Sequence, residues 1–190
     1  MEDRPPADAE LVSRARRGDA AAYEDLVTAH QQIAFRTAYL VLGDAAEAED
    51  ATQEAFVKAY RALDRFREGA AFRPWLLRIV ANTARNARRS AVRRRGLQMR
   101  AEAGTPRDAA SLSAEAAALA AKRRRTLLAA INALSVDDRL VIGARYFLEL
   151  PEAEIAAIAG VAPGTVKSRL SRARSRLAQA LGDRTGWFDA

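Results

Sequence analysis

Wherever apolar residues repeat in this chain they repeat at spacings of three and four, with no convincing alternating run. Residues three or four apart share one face of a helix, whereas a half-buried strand needs period two. Tyr23, Leu26, Val27, His30, Ile33, Ala34 and Ala38 follow the helical period, and Ala48, Ala51, Ala55, Ala59 and Leu63 form a second stripe. The pattern predicts an all-α fold. Asp8, Asp19 and Asp44 stand where a cap carboxylate can accept from the orphan amides of a first turn. Gly18 and Gly43 stand where a left-handed stop suits glycine. Leu11, Val12 and Ala15 line the first helix. Phe66–Phe72 reads as a loop, and Pro74 suits the first turn of a helix through Trp75–Ser90.

Past Ser90 the regular period fades into Arg93–Arg95, Gly96, Gly104-Thr-Pro106 and an Ala/Ser-rich stretch. Residues 91–121 therefore read as a flexible basic linker, with transient helix around Ser113–Ala121. Helical spacing returns at Leu127, Leu128, Ile131 and Leu134. A turn at Ser135–Asp138 and a helix over Leu140–Phe147 follow, then a two-helix unit from Pro151 to Leu181. A length of 190 residues suits two small helical domains, 8–90 and 122–182, joined by that linker.

The residue inventory narrows the chemistry. The chain has no cysteine and a single histidine, His30. Disulfides, thiolate nucleophiles and cysteine or multi-histidine metal sites are thereby excluded, and no cofactor is expected. The start, Met1-Glu-Asp-Arg-Pro-Pro6, is acidic and then broken by proline, unlike a secretory leader. No apolar run approaches the roughly 18 residues that span a bilayer. A cytoplasmic protein with no membrane insertion and no small-molecule substrate is the expectation.

Net charge is +7, and its distribution is uneven. Eight arginines fall between Arg85 and Arg107 against the single acid Glu102, and five basic residues with no acid lie between Val161 and Leu181. From Val41 to Ala70 the balance reverses, with seven acids and four bases. Two basic zones imply a polyanionic partner.

The second zone has helix-turn-helix spacing. Glu152–Ala159 forms a short helix with small Ala156 at the close approach, Gly160-Val-Ala162 the turn, and Pro163–Gln179 a proline-opened second helix. At about 100° per residue, Val166, Leu170, Ala173 and Leu177 fall on one side. Lys167, Ser168, Ser171, Arg172 and Ser175 face the other way. Short hydroxyls permit close approach to a major groove, and Arg or Lys can reach guanine O6 and N7. Arg169, Arg174 and Arg176 lie on the flanks, where phosphates are in reach.

The Trp75–Ser90 helix divides similarly. Leu76, Val80, Thr83, Ala84 and Ala87 make a core face. Trp75, Arg78, Asn82, Arg85, Asn86 and Arg89 share a sector about 100° wide. Aromatics stack, amides read base edges and arginines hold phosphates, so this sector suits bases taken out of a duplex. Phe66 and Phe72 would frame a pocket, while Trp75 beside Pro74 also fits a packed core. On the helix before it, Glu47, Glu49, Asp50, Gln53, Glu54, Lys58 and Arg61 suit a protein-docking face or an ordinary solvated one. Nothing surrounds those carboxylates with a nucleophile or metal set for catalysis.

Three stretches resemble bacterial RNA polymerase sigma factors of the extracytoplasmic-function (ECF) group. Ala48-Glu-Asp-Ala-Thr-Gln-Glu-Ala-Phe-Val-Lys-Ala-Tyr-Arg-Ala-Leu63 resembles the polymerase-binding helix of region two. Phe72-Arg-Pro-Trp-Leu-Leu-Arg-Ile-Val-Ala-Asn-Thr-Ala-Arg-Asn86 resembles the helix that melts and reads the minus-ten element. Ile155-Ala-Ala-Ile-Ala-Gly-Val-Ala-Pro-Gly-Thr-Val-Lys-Ser-Arg-Leu-Ser-Arg-Ala-Arg174 resembles the region-four unit that binds the minus-thirty-five element. The resemblance implies that Asp50, Gln53, Glu54 and Lys58 dock on the clamp of the largest subunit of core RNA polymerase, with the second-largest subunit near region four. It implies that Phe66, Phe72, Trp75, Asn82, Arg85, Asn86 and Arg89 handle single-stranded minus-ten DNA. Thr165, Lys167, Ser168, Arg169, Ser171 and Arg172 would contact the minus-thirty-five duplex. Promoter DNA and an anti-sigma factor are implied partners, and no catalytic centre is. Ala51-Thr52 stand where the family usually has two larger aliphatics. A stand-alone helix-turn-helix regulator would account for the C-terminal unit but leaves the aromatic-basic helix without a role. A basic architectural protein would account only for the charge.

Overall fold

Asp19 and Asp44 start the two helices that carry most of the N-terminal core. Each is extended, and each carboxylate accepts from an amide three residues on: Ala22 N at 3.1 Å and Glu47 N at 2.9 Å. The computed structural model describes residues 8–67, 69–98 and 125–181, and all regular structure among them is helical. Helix α1 (Asp8–Arg16) leads into α2 (Ala20–Leu42), which stops at Gly43 with φ 77°, a conformation open to glycine at little cost. α3 (Ala45–Ala62) follows, then a 3₁₀ turn at Leu63–Arg65 and α4 (Phe72–Gln98). The C-terminal part contains α5 (125–133), α6 (Val136–Tyr146), α7 (Glu152–Ala159) and α8 (Pro163–Leu181).

The predicted stripes are the buried ones. Ala48, Ala51, Ala55, Ala59 and Leu63 all turn inward, and their small size lets α3 lie close to α2 and α4. Thr52 is also buried, and its hydroxyl donates to Ala48 O at 2.7 Å, so the smaller Ala51-Thr52 pair leaves no unsatisfied polar group. Leu76, Val80, Thr83 and Ala84 on α4 and Val166, Ala173 and Leu177 on α8 complete the inner faces. Asp8, expected as a cap, is the first residue of α1, and its carboxylate lies 3.1 Å from His30 Nε2.

Three boundaries differ from the sequence reading. α4 begins at Phe72, two residues before Pro74, because a missing N–H costs nothing anywhere in a first turn. It also runs past Ser90 to Gln98, where Ala91 is still buried and arginine is a good helix former. The expected turn at Ser135–Asp138 is a helix start: Ser135 Oγ accepts from Asp138 N, so α6 opens at Val136. The expected helix at Ser113–Ala121 lies outside the described residues, as does most of the 91–121 segment.

The N- and C-terminal helices share a core. Leu140, Val141, Ala144, Ile155, Ile158 and Val166 belong to the same apolar cluster as Leu26, Val41 and Leu76. α6 crosses α2 at Gly143, where an added Cβ would stand 2.3 Å from Leu40 Cδ2. A second, smaller cluster joins Ala130, Leu134 and Ile142 to Ala173, Leu177 and Leu181.

Tyr23 ties α2 to α3, its hydroxyl donating to Phe56 O at 2.6 Å with its ring edge-on to Tyr60. Burial pushes its pKa up to about 12. A folded-state pKa above the unfolded value means that this stability is complete below about pH 10 and is lost as pH rises through about 12. Tyr23→Phe is expected to cost about 1 kcal/mol in urea unfolding at pH 7. It should also flatten the loss of stability between pH 10 and about 12 seen in the parent chain.

Candidate functional site

Three helical faces carry the residues singled out in the sequence. On α4, Leu76, Val80 and Ala84 hold one side against the core, which forces Arg78, Asn82, Asn86 and Arg89 outward. Arg85 lies between the two, with a side chain 15% exposed. Its Nη1 donates to Asn82 Oδ1 at 3.1 Å, and its Nη2 stands 3.3 Å from Asp137 Oδ1. That Nη2 is buried and makes no aligned hydrogen bond among the described residues.

Phe66 and Phe72 are 6% and 2% exposed, so in this arrangement neither offers a ring face to a base. They pack on Trp75, whose ring centroid lies 5.0 Å from Phe66 and 5.6 Å from Phe72, and Phe72 also meets the His30 ring at 5.4 Å. Loop position suggested two aromatics framing a pocket. The tertiary fold instead uses both phenylalanines as the floor under a half-buried Trp75. The polar part of the sector is contiguous. Past Arg85 it borders an open cleft of about 710 Å³ between α4 and the start of α6, lined by Asn86, Arg88, Arg89, Arg93 and Ser135.

On α3, Asp50, Gln53, Glu54 and Lys58 all lie on the outer face. Lys58 is less free than the others: its Nζ pairs with Glu54 at 2.7 Å and donates to Thr83 Oγ1 on α4 at 3.3 Å. Val57 and Tyr60 share this face at 50% and 49% exposure and were not singled out by sequence reasoning. Their spacing from Gln53, four and seven residues on, was the available signal. Their type pointed to core instead.

The α7–α8 unit has the expected turn. Gly160, at φ 68° and ψ 36°, donates to Ala157 O, and Val161 N donates to Ala156 O at 3.0 Å, which together close the C-terminus of α7. Thr165 N donates to Ala162 O at 2.9 Å as α8 begins. Lys167, Ser168, Ser171 and Arg172 are exposed on α8, and Thr165 and Arg169 are half-buried. The Ser168 and Ser175 hydroxyls donate back to Thr165 O and Ser171 O, which keeps this face low. Arg169 Nη1 lies 3.6 Å from Asp137, and Arg176 pairs with Asp138. Asp137 and Asp138, at the head of α6, also went unmarked in the sequence, where they read as turn residues.

Among the described residues there is no cluster of His, Cys, Asp and Glu that could hold a metal ion, and no helix long and apolar enough to cross a membrane. The three faces present carboxylates with apolar neighbours, a polar-basic sector beside an aromatic, and a basic helix behind a tight turn.

The Sigma-70 region 2 family matches residues 26–94, and the Sigma-70 region 4 family matches residues 124–177. The chain is 36% identical to the RNA polymerase sigma-H factor of Pseudomonas aeruginosa over 92% of its own length and 93% of that protein's. It is 37% identical to the ECF RNA polymerase sigma-E factor of Escherichia coli, covering 88% of this chain and 90% of that one. Among solved structures it is similar to CnrH bound to the cytosolic domain of CnrY, with TM-score 0.65, 28% identity, and coverage of 93% and 97%. It is also similar to the sigma factor RpoE of Bartonella quintana bound to the anti-sigma factor NepR, with TM-score 0.58, 28% identity, and coverage of 84% and 96%.

Because Gly160 sits in the left-handed region, Gly160→Ala is expected to cost about 1–2 kcal/mol in denaturant unfolding, although the added methyl would meet nothing within 4 Å. A loss that small identifies backbone strain at the turn; a negligible one would mean that the turn relaxes.

Proposed function

Because the chain belongs to the ECF sigma factors of RNA polymerase, we propose a division of its promoter-recognition work between the faces described above. As a sigma factor it binds core RNA polymerase and directs promoter recognition, DNA melting and transcription initiation. We assign residues 8–90 to core binding and the minus-ten element and 122–182 to the minus-thirty-five element, with 91–121 as the connecting linker.

In this reading Trp75 is the stacking platform for an unpaired base, with Phe66 and Phe72 beneath it holding its plane. Asn82 and Asn86 read base edges, and Arg85 and Arg89 hold phosphates. Capture of an extruded base offsets the few kcal/mol lost on unstacking and so favours the melted state. On α8, Lys167, Ser168, Ser171 and Arg172 face the duplex major groove, with Thr165 and Arg169 nearer the backbone. The observation that carries this reading is the shared outward placement of Asn82, Asn86 and Arg89 beside a half-buried Trp75. No fully packed core face carries two amides and several arginines.

On α3, Asp50, Gln53 and Glu54 form the polar part of the polymerase-docking face, and Val57 and Tyr60 supply its apolar centre. An interface needs such anchors, since exposed charges alone contribute little once solvated. The chain supplies specificity, and we assign it no catalytic centre of its own. Phosphoryl transfer then belongs to the polymerase, and the chain acts in the cytoplasm where that enzyme works. An anti-sigma factor is a further proposed partner, supported by the anti-sigma-bound form of the similar RpoE structure.

Run-off transcription with purified core polymerase, on promoter fragments from the source genome, tests the assignment. Trp75→Ala is expected to impair open-complex formation, read by permanganate footprinting, while polymerase binding stays near the parent value. Equal loss of both would remove Trp75 from the DNA face. Val57→Asp should do the reverse and weaken capture of core polymerase. Arg172→Ala should cost about 1–3 kcal/mol of discrimination at one base position if its contact is bidentate. Uniform weakening across all promoter sequences would make it a phosphate contact.

A further inference from the structure

The head of α6 carries two consecutive acids, and between them they engage three arginines from two other helices. Asp138 is buried and pairs with Arg176 of α8. Asp137 is half-exposed and stands between Arg85 of α4, 3.3 Å away, and Arg169 of α8, 3.6 Å away. Acids in a first turn are ordinarily explained by the helix dipole, for which either residue alone would serve. The dipole does not require one carboxylate to lie between guanidiniums from separate parts of the chain.

Carboxylate and phosphate offer the same paired-oxygen geometry to a guanidinium. We infer that Asp137 is a built-in substitute for a DNA phosphate, withdrawing one arginine from each DNA-facing surface at the same time. This rests on the reading of Arg85 and Arg169 as DNA contacts. The exposures agree with it, since the Arg85 and Arg169 side chains are only 15% and 24% exposed in this packed state. Arg85 Nη2 is buried with no aligned hydrogen bond, so Asp137 satisfies its charge and leaves its directional donor unused. A phosphate could use both.

Contacts elsewhere hold the carboxylate in place. Arg139, one residue after Asp138, donates to Leu40 O at 2.6 Å and Val41 O at 2.7 Å on α2. Gly143 lets α6 lie directly on Leu40, and Arg73 of α4 donates from Nε and Nη2 to the two carboxylate oxygens of Glu154 on α7. None of these four residues was assigned to a DNA face. Parting α6 from α4 therefore frees Arg85, whereas Arg169 travels with Asp137, because α8 packs on α6, and is freed only when a phosphate displaces the carboxylate.

Anisotropy titration of the full chain, on a labelled duplex enriched by the protein from a randomised pool, tests this in three variants. Asp137→Asn should bind about fivefold tighter than the parent, the fold-change expected when a partly exposed competing ion pair is removed. Glu149→Gln makes the same charge change on an exposed residue of the same domain and should bind like the parent. Equal gains in both variants would overturn the inference, leaving only general charge. Arg169→Ala should weaken binding. If it binds like the parent, the assignment of Arg169 to DNA has failed, and the inference fails with it for that identifiable reason.

A lock tests closure directly. A cysteine sulfur near the position of Leu40 Cγ would lie about 2.9 Å from a Cβ at Gly143, which is disulfide reach. The chain has no other cysteine. Leu40→Cys/Gly143→Cys should bind a labelled single-stranded oligonucleotide weakly when oxidised and recover with dithiothreitol, because the lock holds Arg85 against Asp137. Equal binding in both redox states would overturn the inference.

Discussion

A guanidinium buried with no carboxylate partner among the described residues joins the C-terminal helices to the N-terminal ones. Arg139 is 4% exposed, and burial lowers its pKa from the ordinary arginine value. Its charge is met by the carbonyl oxygens of Leu40 and Val41, at the negative end of the α2 dipole, where Arg88 also donates to Val41 O. A helix C-terminus offers orphan carbonyls, and a planar donor fork is well matched to two of them. Removing that contact would leave α2 uncapped by its neighbour and α6 without its anchor. The shared core, the Arg73–Glu154 pair and the placement of Asp137 all follow from where it puts α6.

Such an arrangement makes the molecule's stability and its function draw on the same surfaces. Leu140, Val141 and Ile155 would be exposed if the C-terminal helices moved away as a body, so separation needs a partner that covers apolar area in return. The α3 face lies apart from this seam. Its exposed Val57 and Tyr60 remain available to a protein partner while the seam is closed.

Much of the architecture was legible in the sequence because its signals are local. The caps at Asp19 and Asp44, the stop at Gly43 and the turn at Gly160 depend only on a few neighbouring backbone groups. The alanine stripe of α3 and the apolar line of α8 depend only on helical period. Ser135 was misjudged for an instructive reason: a serine followed by two acids is both turn chemistry and N-cap chemistry, and only Asp138 N donating back to Ser135 Oγ separates them. The end of α4 was missed because its last turns carry arginines rather than an apolar period.

By itself, then, the sequence determined most of the helices, their inner faces and the family that three of its stretches resemble. Each of these is written in residue type and spacing of three or four. Tertiary structure alone decided that Phe66 and Phe72 are buried against Trp75, that Lys58 is tied to Thr83, and that Asp137 lies between Arg85 and Arg169. Those outcomes depend on which helices meet, and helical period specifies an inward face without specifying what it will face. The meeting of α2 and α6 is set by one absent side chain at Gly143 and one buried charge at Arg139. Neither is visible as anything but an ordinary residue until the chain is folded.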